Sequence, residues 1–365
     1  MRIIQILPEL TQGDAVGNDA RAIRDALREE GYETEIRAGW VDPRLQVGEG
    51  KDLRQMPALG DEDLLIYHAS TGTDLNFQLS SMGGRKVMIY HNITPPRFFR
   101  WYNNRARKNM EYGYEGIRAL AGEMEYCLAC SEYSRQELIR MGYRCPIDVC
   151  PILIPFHDYD SEPDPKAMAE WGPRAGRRAE NWLFVGRISP NKKQEDLISA
   201  FYCYQRDYEP ESRLFLIGSE IGMEMYGHRL RNYIRELGIE DKVVFPGHVP
   251  FSVILTCYRL ADVFVCLSEH EGFCVPLVEA MHFGVPIAAR GCCAVPETLG
   301  CGGLLLDSGE PETVAAAVNR ILTDTSLRSA IREGQREMLE KYSREAVKAR
   351  LLACLKPYLI KEGRI

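Results

Sequence analysis

The sequence reads as an α/β protein: two parallel-sheet domains facing a central cleft. Three observations carry that reading. Short apolar runs alternate with helical patterns over the first 154 residues, the alternation lapses over 155–180, and it then restarts and continues toward the C-terminus. Alternation of this kind marks βαβ units on a parallel sheet. A chain of 365 residues also exceeds one ordinary core, so length by itself favours two domains.

In the first half, "RIIQIL" (2–7), "DLLIYH" (63–68), "KVMIYH" (86–91) and "EYCLAC" (125–130) read as short buried strands. Residues 17–30 and 131–142 carry apolar side chains at helical spacing. Over 155–180, Pro155, Pro163, Pro165 and Pro173 interrupt a polar stretch without a long apolar face, which predicts a connection. The strands resume with "NWLFVG" (181–186), "RLFLIG" (213–218), "KVVFPG" (242–247), "DVFVCL" (262–267) and "VPIAAR" (285–290). Helices are expected at 192–206, 223–237, 276–283 and 310–323, and the tail reads as helical over 326–360. The expected domains are therefore 1–155 and 181–340, with a linker at 156–180 and a last helix, 341–365, returning to the first domain. Open parallel sheets bind ligands beyond the carboxyl ends of their strands, so two such domains define a cleft.

Composition excludes several classes. The net charge of −7 argues against nucleic acid as a partner, since duplex binding leans on clustered positive charge. No run is long enough to span a bilayer, and "MRIIQILPEL" lacks the pattern of a signal peptide, so a cytoplasmic location is expected. The 12 cysteines include Cys127 and Cys130 as a C-x-x-C and the adjacent Cys292 and Cys293. No second knuckle or histidine pair at ligand spacing accompanies them, and they read as reduced core thiols.

Chemistry concentrates in two stretches. In "VGRISPNKKQEDLI", Arg187, Lys192 and Lys193 follow a strand end. Arginine grips phosphate oxygens with paired hydrogen bonds, and lysine adds a point charge. In "SEHEGFCVPLVEA", Glu271 and Glu279 flank a loop-to-helix turn. Pro276 suits the first helical position, and the N–H groups near Cys274 and Val275 then form an anion site. Carboxylates beside such a site repel bare phosphate, so their role is with hydroxyls on either side of it. A ligand with hydroxyls, diphosphate and further hydroxyls is a nucleotide sugar. No strand-to-helix turn carries G-x-G-x-x-G, which disfavours a dinucleotide oxidoreductase.

These stretches, with "LPELTQGDAVGNDARAIRDAL", "YHNITPP" and "SEHEGFCVPLVEAMHFGVPI", make the chain resemble the retaining glycosyltransferases of family 4, which have two Rossmann-like domains (GT-B). The resemblance covers most of the chain and includes the Glu-x7-Glu spacing of Glu271 and Glu279. It implies that Arg187 and Lys192 hold the donor diphosphate and that Glu279 binds the nucleotide ribose. It also implies that Glu271 contacts the donor sugar at the reacting carbon. Phe273, Cys274 and Val275 stand where the family offers main-chain N–H groups, with Cys274 replacing a commoner glycine. Val249, in "PGHVP", falls on the loop that meets the nucleobase. His91 falls where the family places a cleft histidine near the donor sugar, and is assigned to catalysis with Glu271. Gly13 matches the family's glycine-rich loop on the acceptor side. Asp14 either binds an acceptor hydroxyl or caps the following helix. His68 is structural or acceptor-side, and His270 is read as facing solvent.

The expected reaction moves a hexose from a UDP- or GDP-linked donor to a hydroxyl acceptor with retained configuration, in surface polysaccharide or glycolipid assembly. No cofactor is implied beyond the nucleotide sugar itself. No metal is expected, because "DYD" (158–160) lies in the linker. A sugar-nucleotide epimerase or phosphorylase on the same fold is the closest rival, since fold alone does not decide function. The segment "PPRFFRWYNNRARK" (95–108) mixes five basic residues with four aromatics and no acid. It reads either as a site docking the first domain on an anionic membrane surface, next to a lipid-linked saccharide acceptor, or as an acceptor loop with its rings packed inward.

Overall fold

The computed structural model describes residues 1–11, 13–172 and 179–359. They fall into two compact units. Met1–Pro96, Arg107–Phe156 and the stretch from Tyr342 make unit 1, and Arg97–Ala106 with His157–Lys341 make unit 2.

Unit 1 is built on seven strands: β1 (Arg2–Leu10), β2 (Glu33–Val41), β3 (Lys51–Asp52), β4 (Leu64–Ala69), β5 (Arg85–Tyr90), β6 (Tyr126–Ala129) and β7 (Ile147–Val149). They pair in parallel in the order β3-β2-β1-β4-β5-β6-β7. The helices between them are α1 (Ala15–Glu29), α2 (Leu75–Gln78), α3 (Asn104–Ala119) and α4 (Glu132–Arg140). Every residue of β4 is buried, as a strand covered on both faces requires. Successive side chains serve opposite faces. Ile3, Leu64, Ile66, Val87 and Ile89 pack with Ile23 and Leu27 of α1. Ile4, Leu65, Tyr67, Met88 and Tyr90 pack with Ile117 of α3 and Leu138 of α4.

Unit 2 opens with α5 (Pro165–Trp171). Its strands are β8 (Asn181–Val185), β9 (Arg213–Ile217), β10 (Val243–Gly247), β11 (Val263–Cys266), β12 (Ile287–Arg290) and β13 (Leu304–Leu306). All neighbours are parallel, in the order β10-β9-β8-β11-β12-β13. Its helices are α6 (Gln194–Asp207), α7 (Glu224–Glu236), α8 (Phe251–Leu260), α9 (Val275–His282), α10 (Val295–Leu299), α11 (Pro311–Thr323) and α12 (Thr325–Tyr342). The final helix, α13 (Arg344–Leu355), belongs to unit 1, where Val347, Leu351 and Leu355 pack into the same cluster as α1. Both sheets grow outward from a central pair, β1–β4 and β8–β11. Successive loops diverge at such a reversal, which is where open α/β sheets bind ligands.

Three expectations change. The connection at 156–180 is partly ordered: residues 156–160 form a 3-10 turn and α5 follows, with Asp164 as its N-cap. Residues 173–178 of that stretch, and 360–365 of the expected last helix, lie outside the described residues. The helical tail is two helices, because the Ser343 hydroxyl accepts the Ala346 N–H and starts α13 afresh. The basic-aromatic segment belongs, over 97–106, with unit 2 rather than with the first domain. There Tyr102 meets Tyr226 edge-on and accepts from Arg229, and Asn103 donates to the Gly222 carbonyl at 2.6 Å. All twelve cysteines are free thiols.

Candidate active site

In unit 2 the chemistry gathers after β8 and β11. Gly218, directly after β9, is required by a close approach: a Cβ there would lie 1.8 Å from the Gly186 carbonyl oxygen. Arg187 is exposed, and its guanidinium makes no hydrogen bond or ion pair among the described residues. The loop that follows is tied down by buried Asn191, whose side chain donates to the His270 carbonyl at 3.2 Å and whose carbonyl accepts the Glu269 N–H at 2.8 Å. This bracing brings Lys192 to Glu271, its Nζ lying 2.7 Å from both carboxylate oxygens. Burial opposes charge on Lys192, and the Glu271 carboxylate more than offsets it, leaving the ammonium raised above its usual value. Lys193 stands apart: it is left-handed, with φ 52°, and pairs with Asp196 at 3.1 Å.

Cys274 adopts φ 77° and ψ 66°, a left-handed conformation rare for a residue with a side chain, and forms the N-cap of α9. Pro276 in the first turn contributes no N–H, and the Phe273 carbonyl is held by the Thr298 hydroxyl at 2.6 Å. Val275 begins the helix, and Glu279 lies one turn in. Its Oε1 accepts from the Tyr159 hydroxyl at 2.9 Å and its Oε2 from Tyr258 at 2.7 Å. Burial raises the Glu279 carboxyl above its ordinary range, and the two hydroxyls offset part of that rise. Val249 is half-buried between β10 and α8. His270 does not face solvent: it is 3% exposed, its ring 6.2 Å from that of Phe98, and burial lowers it to about 4.

In unit 1, His91 and His68 form one buried array. His68 Nδ1 lies 3.0 Å from His91 Nε2, and His68 Nε2 lies 2.8 Å from Gln5 Oε1. The ring planes differ by 17° and the centres are 5.3 Å apart, about the N···N distance plus two ring radii. The rings therefore meet edge to edge, with the nitrogen lone pair of one aimed at the N–H of the other. Asp19 Oδ2 lies 3.8 Å from His91 Nε2, and its Oδ1 accepts the Leu153 N–H at 2.8 Å. Gln5 Oε1 can only accept, so His68 carries its proton on Nε2, its Nδ1 accepts the Nε2–H of His91, and His91 Nδ1 is left as an acceptor buried without a partner among the described residues. Burial pushes Asp19 up to about 7 and His91 down to about 4.

In the loop between β1 and α1, Gly13 is left-handed at φ 77°, and Asp14 caps α1 by accepting the Gly17 N–H at 3.0 Å. The capping role expected for Asp14 is thus observed. Gln12 of that loop lies outside the described residues.

Among the described residues, two groups bring metal-ligating atoms within 4.8 Å of one another: Asp19, His68 and His91, and Cys266, Glu271 and Cys274. Collinear imidazole nitrogens at hydrogen-bond distance cannot converge on one ion, and in the second group the Lys192 ammonium already stands at the Glu271 carboxylate. The sequence reading passed over Tyr159, Tyr258, Asn191, Gln5 and Asp19. None has a spacing signal, because the bonds that matter here reach from 21 residues, between Tyr258 and Glu279, to 134 residues, between Asp19 and Leu153.

Residues 176–338 match the family model described as glycosyl transferases group 1. The chain is 27% identical over 281 residues to O-antigen chain mannosyltransferase B of Escherichia coli, covering 75% of this chain and 70% of that one. It is 30% identical over 219 residues to D-inositol 3-phosphate glycosyltransferase of Corynebacterium glutamicum, spanning about half of that relative's length (52%). In fold it is similar to Anabaena HepE, solved in complex with UDP-glucose, with a TM-score of 0.78 over 98% of this chain and 100% of that one at 19% identity. Residues 176–338, within unit 2, thus match the group 1 glycosyl transferases, and the two doubly wound sheets have the GT-B fold of these structural neighbours.

Proposed function

We propose that the protein is a retaining, metal-independent hexosyltransferase. It takes its donor from a UDP- or GDP-linked sugar and serves surface polysaccharide or glycolipid assembly. One observation carries the reading: within unit 2, unpaired Arg187, the Lys192–Glu271 pair and the tyrosine-held Glu279 gather beyond the carboxyl ends of β8 and β11 and at the start of α9. The names of the relatives above support a hexose and a nucleotide-sugar donor.

In this reading Arg187, Lys192 and the first N–H groups of α9 neutralise charge growing on the departing diphosphate. Glu279 holds the ribose and Glu271 the sugar near its reacting carbon. The bond from that carbon to the phosphate oxygen breaks as the acceptor oxygen bonds to the same face, and a phosphate oxygen takes the acceptor proton. His91 is assigned to catalysis on the family resemblance, and its Nδ1 suits it to accept a hydrogen bond rather than donate one. The exposed Arg97, Arg100, Trp101 and Arg105 fit a peripheral contact with anionic lipid near a lipid-linked acceptor. No described helix is long and apolar enough to cross a membrane.

The test is incubation with UDP- and GDP-hexoses, with and without saccharide acceptors, in EDTA. Acceptor-dependent release of nucleoside diphosphate with a product of unchanged anomeric configuration supports the reading. An epimerase would leave the nucleotide attached, and a phosphorylase would require inorganic phosphate. Strict dependence on added divalent metal would overturn metal independence.

A further inference from the structure

We infer that Tyr159 is a positioning residue that sets ribose specificity. Its hydroxyl, with that of Tyr258, aims the Glu279 carboxylate so that the acceptor position left open on each oxygen meets one of the vicinal hydroxyls of a ribose. The inference rests on the reading of Glu279 as the ribose ligand and goes beyond it, because Tyr159 lies outside the sheet in a stretch that joins the two units.

An ionised carboxylate offers about four acceptor positions, two on each oxygen. Tyr159 occupies one on Oε1 and Tyr258 one on Oε2, at 2.9 and 2.7 Å. One position per oxygen remains, the pattern a cis-diol satisfies with its two O–H donors. Without the tyrosines, the glutamate is free to turn about its terminal torsion, whose wells are broad. With them, both oxygens are pinned by donors on separate elements, Tyr258 on α8 and Tyr159 in the 156–160 turn.

That turn is anchored well enough to serve. The Tyr159 ring is 5% exposed and packs 5.5 Å from Phe251, 5.5 Å from His282 and 6.3 Å from Phe283, measured between ring centres. Arg259 Nη2 donates to the carbonyls of Tyr159 at 3.2 Å and Ser161 at 2.7 Å. Tyr258 stacks on the same Phe283, the planes 6° apart. A half-buried acceptor pair fixed in this way disfavours a ligand that leaves one member unpaired, because the bound ligand displaces water there without supplying a donor.

The experiment compares dissociation constants of UDP and GDP with those of their 2′-deoxy forms by calorimetry. It uses the full chain as wild type, Tyr159→Phe, Tyr258→Phe and Glu279→Gln. Wild type should prefer the ribose form of the nucleotide it binds by about tenfold or more, as expected for a hydrogen bond to a charged group. Tyr159→Phe keeps the packed ring and should bring that ratio to within about threefold of unity while hardly changing affinity for the deoxy form. Equal weakening of both forms means that Tyr159 is merely structural and overturns the inference. If Tyr159→Phe does not fold, Tyr258→Phe carries the same expectation on the other oxygen, and an unchanged ratio there is equally fatal. Absence of ribose preference in wild type, or a ratio unaltered by Glu279→Gln, removes the ribose reading of Glu279 and the inference with it. A changed ratio in Glu279→Gln with an unchanged one in the tyrosine variants removes the inference alone.

Discussion

Lys192 and Glu271 come from loops 79 residues apart, and each neutralises the other in a site where Glu271 is almost fully enclosed. Breaking a buried pair leaves one charge without a partner, which costs about 3–5 kcal/mol. Lys192→Met should fall near about 3 kcal/mol, the lower end, because its side chain keeps 21% of its surface exposed. Urea unfolding should show Lys192→Met with Glu271→Gln recovering much of that loss, and a fully additive double variant would mean that the pair does not act as a unit. Glu271→Gln should also abolish transfer in a folded protein, and near-wild-type turnover would remove it from the mechanism. Asp19 supplies a pH signature. Its carboxyl rises from 3.8 to about 7 on folding, so the folded state holds a proton that the unfolded chain has released across that window. Its contribution to stability therefore falls as pH rises from about 4 to about 7 and then levels off. His91, lowered from 6.5 to about 4, acts in the opposite direction as the medium is acidified. The informative quantity is thus the difference between wild type and Asp19→Asn. The advantage of Asp19→Asn should grow across the window by up to about 4 kcal/mol, at about 1.4 kcal/mol per unit. A difference independent of pH would show that Asp19 is ionised throughout.

At the scale of elements, α9 begins from a strained residue. A left-handed conformation costs a residue with a Cβ about 1–2 kcal/mol relative to one without, and Cys274 holds it at φ 77°. Cys274→Gly should therefore leave the melting temperature unchanged or raise it, whereas Cys274→Val, branched at Cβ, should lower it by several degrees; the reverse order would remove strain as the cause. The sequence located this helix to within a residue, since Pro276 and the glutamate spacing bracket it, but the left-handed turn depends on its packing. The last helix is the opposite case. Its apolar positions and its return to the first domain were expected, but the place it fills, beside Ile66 and Ile89 in the same cluster as α1, is set by packing. Ending the chain at Tyr342 would uncover that cluster. Each large side chain removed from it forfeits about 1.5–3 kcal/mol of burial, so the truncated chain should be insoluble or melt well below the intact one.

At the scale of the whole molecule, a chain of net charge −7 presents exposed Arg97, Arg100, Arg105 and Lys108 within twelve residues. Phe99 is buried and Tyr102 packs on Tyr226, while Trp101 stays 74% exposed beneath Arg100. Some rings of this segment thus pack inward, while one ring with four cations faces outward, and docking on a membrane is left to experiment. Flotation with anionic vesicles at low salt should carry wild type upward and leave behind a variant with Arg97, Arg100 and Arg105 changed to glutamate. Failure of wild type to float would assign the acceptor to solution.

What the sequence determined by itself was whatever repeats or lies close along the chain. The alternation of strand and helix, the two sheets, the start of α9 and the nearness of Arg187 to Lys192 all follow from local patterning and turn chemistry. Tertiary structure decided whatever depends on partners distant in sequence. Glu271 is matched by Lys192, Glu279 is aimed by a tyrosine from a stretch read as a mere connection, and His91 is aligned by His68, Gln5 and Asp19 from three other elements. Periodicity reports which side chains face a core. A buried polar group, by contrast, must find its hydrogen-bond partner wherever the fold brings one within about 3 Å, and that pairing exists only once the sheets are assembled.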